Sequence, residues 1–236
     1  MTVKTRAIVI ATVRYQEKGL VVTCFTEVDG RISYFVPNAY STRKGAPKAA
    51  FFLPLTLLEL EAVHKKKGSL EAIREIRISY PYISLHGDVM KGTIALFLAE
   101  MLHHSLHDGV PNPALFDLLE AALQWFDSHT EVANFHLVLL LEMTKHLGFY
   151  PDLSTSGRFF DLRDGCFLGA PGAETTDEEV ATSLRKLAGL RFGDEEKAFT
   201  ATQRRALLRL FVAYYAAHID GFRKPKSLEI LAEVFG

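Results

Sequence analysis

The chain has only two cysteines, Cys24 and Cys166, in 236 residues. That is too few for a disulfide framework or a four-cysteine zinc site. Both are expected to pack as small apolar groups in a reducing compartment. No apolar run approaches the ~18–20 residues of a membrane span. The opening "MTVKTRAIVIATVRY" meets Arg14 too soon for a secretory leader and shows no cleavage site, so a cytoplasmic protein is expected. There is no Gly-rich phosphate loop, Rossmann fingerprint, nucleophile elbow or zinc-protease helix signature. Carboxylates are spread along amphipathic helices, where they solvate faces rather than pair for acid–base work. These absences argue against an enzyme and against a cofactor. One metal candidate is left, "HHSLHDG". His103 and His107 stand one helical turn apart with Asp108 next, but zinc needs three or four protein ligands. As a plain helix end, the histidines would complement the C-terminal dipole.

What is present is an ordinary globular composition, 48% hydrophobic and 23% charged, enough for one large domain or two modest ones. A net charge of −1 hides an asymmetry. Residues 1–80 carry 13 Lys+Arg against 7 Asp+Glu, and residues 81–236 carry 14 against 21. A basic module joined to an acidic one predicts that the first faces a polyanion.

The first third reads as strands. "TRAIVIATVRY" and "LVVTCFTEVDG" are rich in Val, Ile, Thr and Phe, and the Asp-Gly turn leads into "RISYFVPNAY", a hairpin over 20–36. "FFLPLTLLELEAVHK" and "LEAIREIRISY" follow. In the latter Ile73, Ile76 and Ile78 do not alternate, which predicts a bulge or a short helix. Five strands in about 80 residues, with one long basic loop, predict a five-stranded OB-fold β-barrel. Beyond Pro81 the apolar period becomes helical. Val89, Ile94, Phe97, Leu98, Met101 and Leu102 form one stripe, Asn112-Pro113 is a helix start and Gly148 a stop. A small hairpin near 158–168 interrupts the helices. The expected class is α+β: a nucleic-acid-binding barrel over 1–80, then a mainly helical domain over 81–236.

The candidate contacts follow from this layout. "STRKGAPK" places Arg43, Lys44 and Lys48 on a Gly/Pro-shaped loop, and "HKKKGS" places Lys65, Lys66 and Lys67 at a turn between two strands. Arg14, Arg31 and Arg74, with Arg6 and Arg77 as further candidates, would add to the same field within a Debye length of roughly 8–10 Å. Such a surface grips phosphates without reading sequence. Tyr15, Tyr34, Phe35 and Tyr40 are possible stacking rings. Phe35 is expected in the core, which leaves Tyr40 as the preferred stacking residue. Near the C-terminus, Arg223, Lys224 and Lys226 surround Pro225 before a helix near Ser227. They read as helix-start chemistry, or as a receiver for an acidic peptide tail.

Three stretches resemble the RecO family of bacterial DNA repair proteins. They are "YQEKGLVVTCFTEVDGRISYFV", with Tyr15, Glu17, Val22, Phe25, Thr26 and Gly30; "LGFYPDL", Leu147 to Leu153; and "PKSLEIL", Pro225 to Leu231. The resemblance runs through nearly the whole chain in the expected order. It implies an OB-fold followed by helices, and a non-enzymatic recombination mediator. Such a mediator binds single- and double-stranded DNA, anneals complementary strands and works with RecR to load RecA. It also recognises the acidic C-terminal tail of single-stranded DNA-binding protein (SSB). DNA binding would place the chain at the nucleoid. Many members carry a four-cysteine zinc module where this chain has "DLSTSGRFFDLRDGCFLGAPG" with Cys166 alone, so a zinc-free branch is implied. Three other readings remain: an RNA-binding OB protein, a helical adaptor that contacts only proteins, and an enzyme centred on the histidine-rich stretch.

Overall fold

The computed structural model describes residues 2–40, 49–65, 70–130, 132–194 and 198–234. The chain forms two compact units, Met1–Ser128 and His129–Gly236.

The first unit holds a closed barrel of β1 (Thr2–Tyr15), β2 (Gly19–Thr26), β3 (Gly30–Val36), β4 (Leu57–Val63) and β5 (Glu71–Ile78). The strand order is β1-β2-β3-β5-β4, with β3 and β5 parallel and the other neighbours antiparallel. This is the expected OB-fold arrangement. Alternation fills the interior with Ala7, Val9, Leu20, Val22, Cys24, Tyr34, Val36, Leu58, Leu60 and Ala62. The irregular isoleucine spacing resolves as a bulge. Glu61 faces Glu75 and Ala62 faces Ile73, which leaves Arg74 as the extra residue on β5.

The unit continues past the barrel into α1 (Val89–Ser105) and α2 (Pro113–Ser128), which cover part of its outer face. Ile8, Ile10 and Phe25 are buried although they lie outside the interior cluster. Phe25 meets Phe116 of α2 at 5.7 Å, and α1 packs on β1. Gly30 (φ +68°) lies directly under Val110, whose carbonyl oxygen would stand 2.1 Å from any Cβ there, so only glycine lets the α1–α2 connection rest on the β2–β3 turn. Asp127 fixes the segment between barrel and helix, accepting from the N–H groups of Ile83 (2.9 Å), Ser84 (2.8 Å) and Leu85 (2.8 Å). Buried Lys91 donates to Ser84 Oγ (2.6 Å) and to the Asp127 carbonyl (2.9 Å).

Asn112 caps α2 as expected, its Oδ1 accepting from Leu115 N at 3.0 Å. Two expectations for α1 fail. Val89, assigned to the apolar stripe, is 80% exposed because it begins the helix beyond the packed turns. The helix also ends at Ser105 with extended backbone at Leu106, so His107 does not share a helical face with His103.

The second unit comprises α3 (Phe135–Leu147), a hairpin of β6 (Phe159–Phe160) and β7 (Phe167–Leu168), then α4 (Glu178–Ala188), α5 (Ala201–His218) and α6 (Leu228–Val234). Its core joins Leu137, Leu140, Phe160, Leu184, Phe211 and Tyr215. The buried phenols are satisfied, with Tyr214 donating to the Phe149 carbonyl and Tyr215 to that of Leu140, each at 2.7 Å. In the segment between α3 and α4, carboxylates close the turns. Asp152 accepts from Ser154 N, and Asp161 accepts from Arg163 N and Asp164 N, all at 2.9 Å. Among the described residues no group of three His, Cys, Asp or Glu is placed to hold a metal.

Candidate nucleic-acid interface

The strand register gathers three connections at one end of the barrel. The β1–β2 turn follows the Tyr15–Gly19 pair, β3 leaves the sheet at Val36 opposite Leu20, and β5 enters with Glu71 beside Tyr34. The β1–β2 and β4–β5 loops, with the face of strands 2 and 3, are the surfaces OB-folds use for oligonucleotides.

The described cations of the barrel divide into two sets. Arg6 is held by Glu27 (2.8 and 3.0 Å), Asp117 (2.9 Å) and Glu120, and it also lies 5.0 Å from the centre of the Phe116 ring. The hydrogen bond from Arg6 is the main cause that keeps the Glu27 pKa below its ordinary value. Arg31 donates to Asp108 Oδ1 and to the His103 carbonyl, each at 2.6 Å. Lys4 faces Glu61 at 3.6 Å and Arg77 faces Glu59 at 2.6 Å. Arg31, Arg6 and Arg77 therefore spend their charge inside the chain, the first two by joining the barrel to α1, α2 and the loop between them.

The second set is Arg14, Lys18, Lys65 and Arg74. All four are exposed, and among the described residues none has an ion-pair partner. Arg14 donates to the Glu17 carbonyl (3.1 Å) and lies over the Tyr40 ring at 5.2 Å. Tyr40 is 47% exposed and stands where the chain leaves β3 toward the basic loop. Arg74 is turned outward at the bulge, a place where strands commonly re-aim a side chain. Arg43, Lys44, Lys48, Lys66 and Lys67 lie outside the described residues.

The base of the β4–β5 loop is anchored internally. His64 is buried, its Nε2 hydrogen-bonded to Tyr34 Oη (2.9 Å) and its Nδ1 to Asp29 Oδ2 (2.6 Å). Buried Glu71 accepts from Lys65 N through both carboxylate oxygens, at 2.9 and 2.8 Å. Burial also pushes the Tyr34 phenol well above its ordinary pKa, so it stays neutral. Lys65 thus leaves the barrel from a fixed point.

Two aromatic expectations are reversed. Tyr34 is wholly buried, whereas Phe35 is only partly buried and lies on the outer face, 5.7 Å edge-on from Tyr15. Phe35 shares its side of β3 with Arg31 and Ser33, so strict alternation in "RISYFV" would have placed it outside. Elsewhere, His103 is partly buried on α1, and burial holds its imidazole below the ordinary range, which leaves no cation there for the helix dipole at neutral pH. Arg223, Lys224 and Lys226 are all exposed before α6, with Lys224 3.5 Å from Glu229.

Two family models cover the chain: "Recombination protein O N terminal" matches residues 1–82 and "Recombination protein O C terminal" residues 86–229. The chain belongs to the RecO family. The proteins called "DNA repair protein RecO" from Flavobacterium psychrophilum and Flavobacterium johnsoniae are 49% and 48% identical, and that of Christiangramia forsetii 37%, each alignment covering 100% of both chains. The RecO family is one of DNA repair and recombination proteins, and the closed barrel followed by helices belongs to it throughout. Among the described residues, no helix is long and apolar enough to cross a membrane.

Proposed function

We propose that this chain is a non-enzymatic recombination mediator that holds DNA by its phosphates at the loop end of the barrel. One observation carries the reading: Lys4, Arg6, Arg31 and Arg77 are tied into ion pairs, while Arg14, Lys18 and Lys65 at the loop end, and Arg74 at the β5 bulge, are left without such partners among the described residues. An unpaired surface cation gains most from replacing a phosphate's counterion. Arg43, Lys44, Lys48, Lys66 and Lys67 follow Tyr40 and Lys65 closely in sequence and belong to the same proposal. Two strands partly neutralised on one surface repel each other less, which gives annealing of complementary strands without base-specific contacts.

The finer roles belong to the same proposal. The protein works with RecR to load RecA onto single-stranded DNA coated by SSB. Arg223, Lys224 and Lys226 receive the acidic SSB tail, and the protein acts in the cytoplasm at the nucleoid.

The joint change Arg14→Glu with Lys65→Glu is expected to weaken binding to single- and double-stranded DNA. It should flatten the slope of log affinity against log salt by ~0.7–0.9 for each phosphate that is no longer neutralised. Lys4→Glu, on a paired cation, should leave both nearly unchanged. Equal effects from the two variants would remove the loop end from the site. Tighter binding to a matched RNA than to DNA would redirect the reading to RNA.

A further inference from the structure

One row of side chains on the outer face of the barrel is left uncovered. The register sets Val13 opposite Val21, Val21 opposite Phe35 and Phe35 opposite Ala72. The row crosses four strands, about 14 Å at ~4.8 Å per strand. Val13 is 64% exposed, and Tyr15, on the same side of β1, is 47% exposed. Further along this face Phe25 and Ile8 are buried, Phe25 against Phe116 of α2. Gly19 makes room for the Phe35 ring. A Cβ at that position would stand 2.9 Å from Phe35 Cε2 and 2.7 Å from the Tyr15 carbonyl oxygen. The Phe35 ring therefore lies against Gly19, which has no side chain to displace it, and meets the Tyr15 ring edge-on.

We propose that Tyr15 and Phe35, with the apolar floor of Val13, Val21 and Ala72, form a stacking platform for unpaired bases. The proposal rests on the DNA-binding reading above and adds a second chemistry to it. The occupant follows from what surrounds the row. Arg74 is two positions along β5 from Ala72, Lys18 is in the hairpin turn beside Tyr15, and neither has an ion-pair partner among the described residues. An apolar aromatic floor edged by unpaired cations suits a polyanion that carries flat rings. Paired bases are stacked on one another and offer no free faces, so a duplex meets only the cations. Binding of a single strand then has two parts, one sensitive to salt and one not.

The test compares a thymidine oligomer with an abasic strand of equal length, and with a duplex, at two salt concentrations. The wild-type chain is expected to prefer the oligomer over the abasic strand by about fivefold or more, and the preference should persist at the higher salt. Phe35→Leu, which keeps an apolar side chain, and Tyr15→Ala should each shrink that preference and leave abasic and duplex affinities unchanged. Salt-sensitive binding with no preference in the wild type would overturn the platform while the phosphate site stands. No binding of either strand at low salt would overturn both. An equal loss on all three probes in Phe35→Leu would mean that the ring supports the fold rather than bases. A change confined to self-association would make a second copy of the chain the occupant, which also overturns the proposal.

Discussion

Asp127 shows how much one side chain can settle. Its burial raises the cost of its charge, but three backbone N–H donors and the Ser84 hydroxyl outweigh that and hold its pKa below the ordinary carboxylate value. Removing the acceptor takes the partner from one buried and two part-buried backbone donors at once, so Asp127→Ala should destabilise the first unit by about 2 kcal/mol, read by denaturant unfolding. A change under about 0.5 kcal/mol would mean that water replaces the carboxylate. Nothing local in "FDSH" announces this role, because its partners lie 42 to 44 residues earlier. Arg31 was similarly opaque. It reads as one more cation of a basic barrel, and only the fold brings Asp108 to it. Phe35 differs, since its outward side was legible from Arg31 and Ser33, four and two residues before it. A preference for burying phenylalanine competed with the period of the strand, and the period won.

At the scale of elements, strands and helix ends were the legible part. The Asp-Gly turn, the Asn112 cap and the Gly148 stop are local chemistry, and each element boundary falls close to them. The bulge at Arg74 was visible as broken alternation, though not which residue it would release. The packing of α1 and α2 onto the barrel was not legible, because both sides of that contact are apolar faces with no sequence mark of their partner. Within α3, His136 is buried and its pKa is lowered to about 3, chiefly by burial and further by the charge of Arg204. The unfolded chain takes up this proton near pH 6.5 and the folded chain near pH 3. This residue therefore costs nothing above about pH 6.5, and stability falls as pH drops from there toward 3, by up to ~1.4 kcal/mol per pH unit. His136→Gln should flatten that part of the stability–pH curve. An unchanged slope would show that the ring titrates normally.

At the scale of the molecule, the charge asymmetry between residues 1–80 and 81–236 was the clearest signal of function, and ion pairing sharpens it. A positive balance by itself would have credited Arg6, Arg31 and Arg77 equally with Arg14 and Arg74. Their carboxylate partners separate the two sets, and that separation is what supports the proposed phosphate site at the loop end. The compact first unit runs to Ser128, so α1 and α2 brace the barrel from its outer side and leave the aromatic row open. The RecO resemblance was readable from three short stretches, and full-length relatives agree with it.

The most direct measurement is the annealing of complementary oligonucleotides, naked and SSB-coated, at two salt concentrations, with the wild type and the Arg14→Glu, Lys65→Glu double variant. The account predicts salt-sensitive annealing of both substrates by the wild type, and a marked loss on both in the variant. Annealing of neither substrate, together with no DNA binding at low salt, would contradict it.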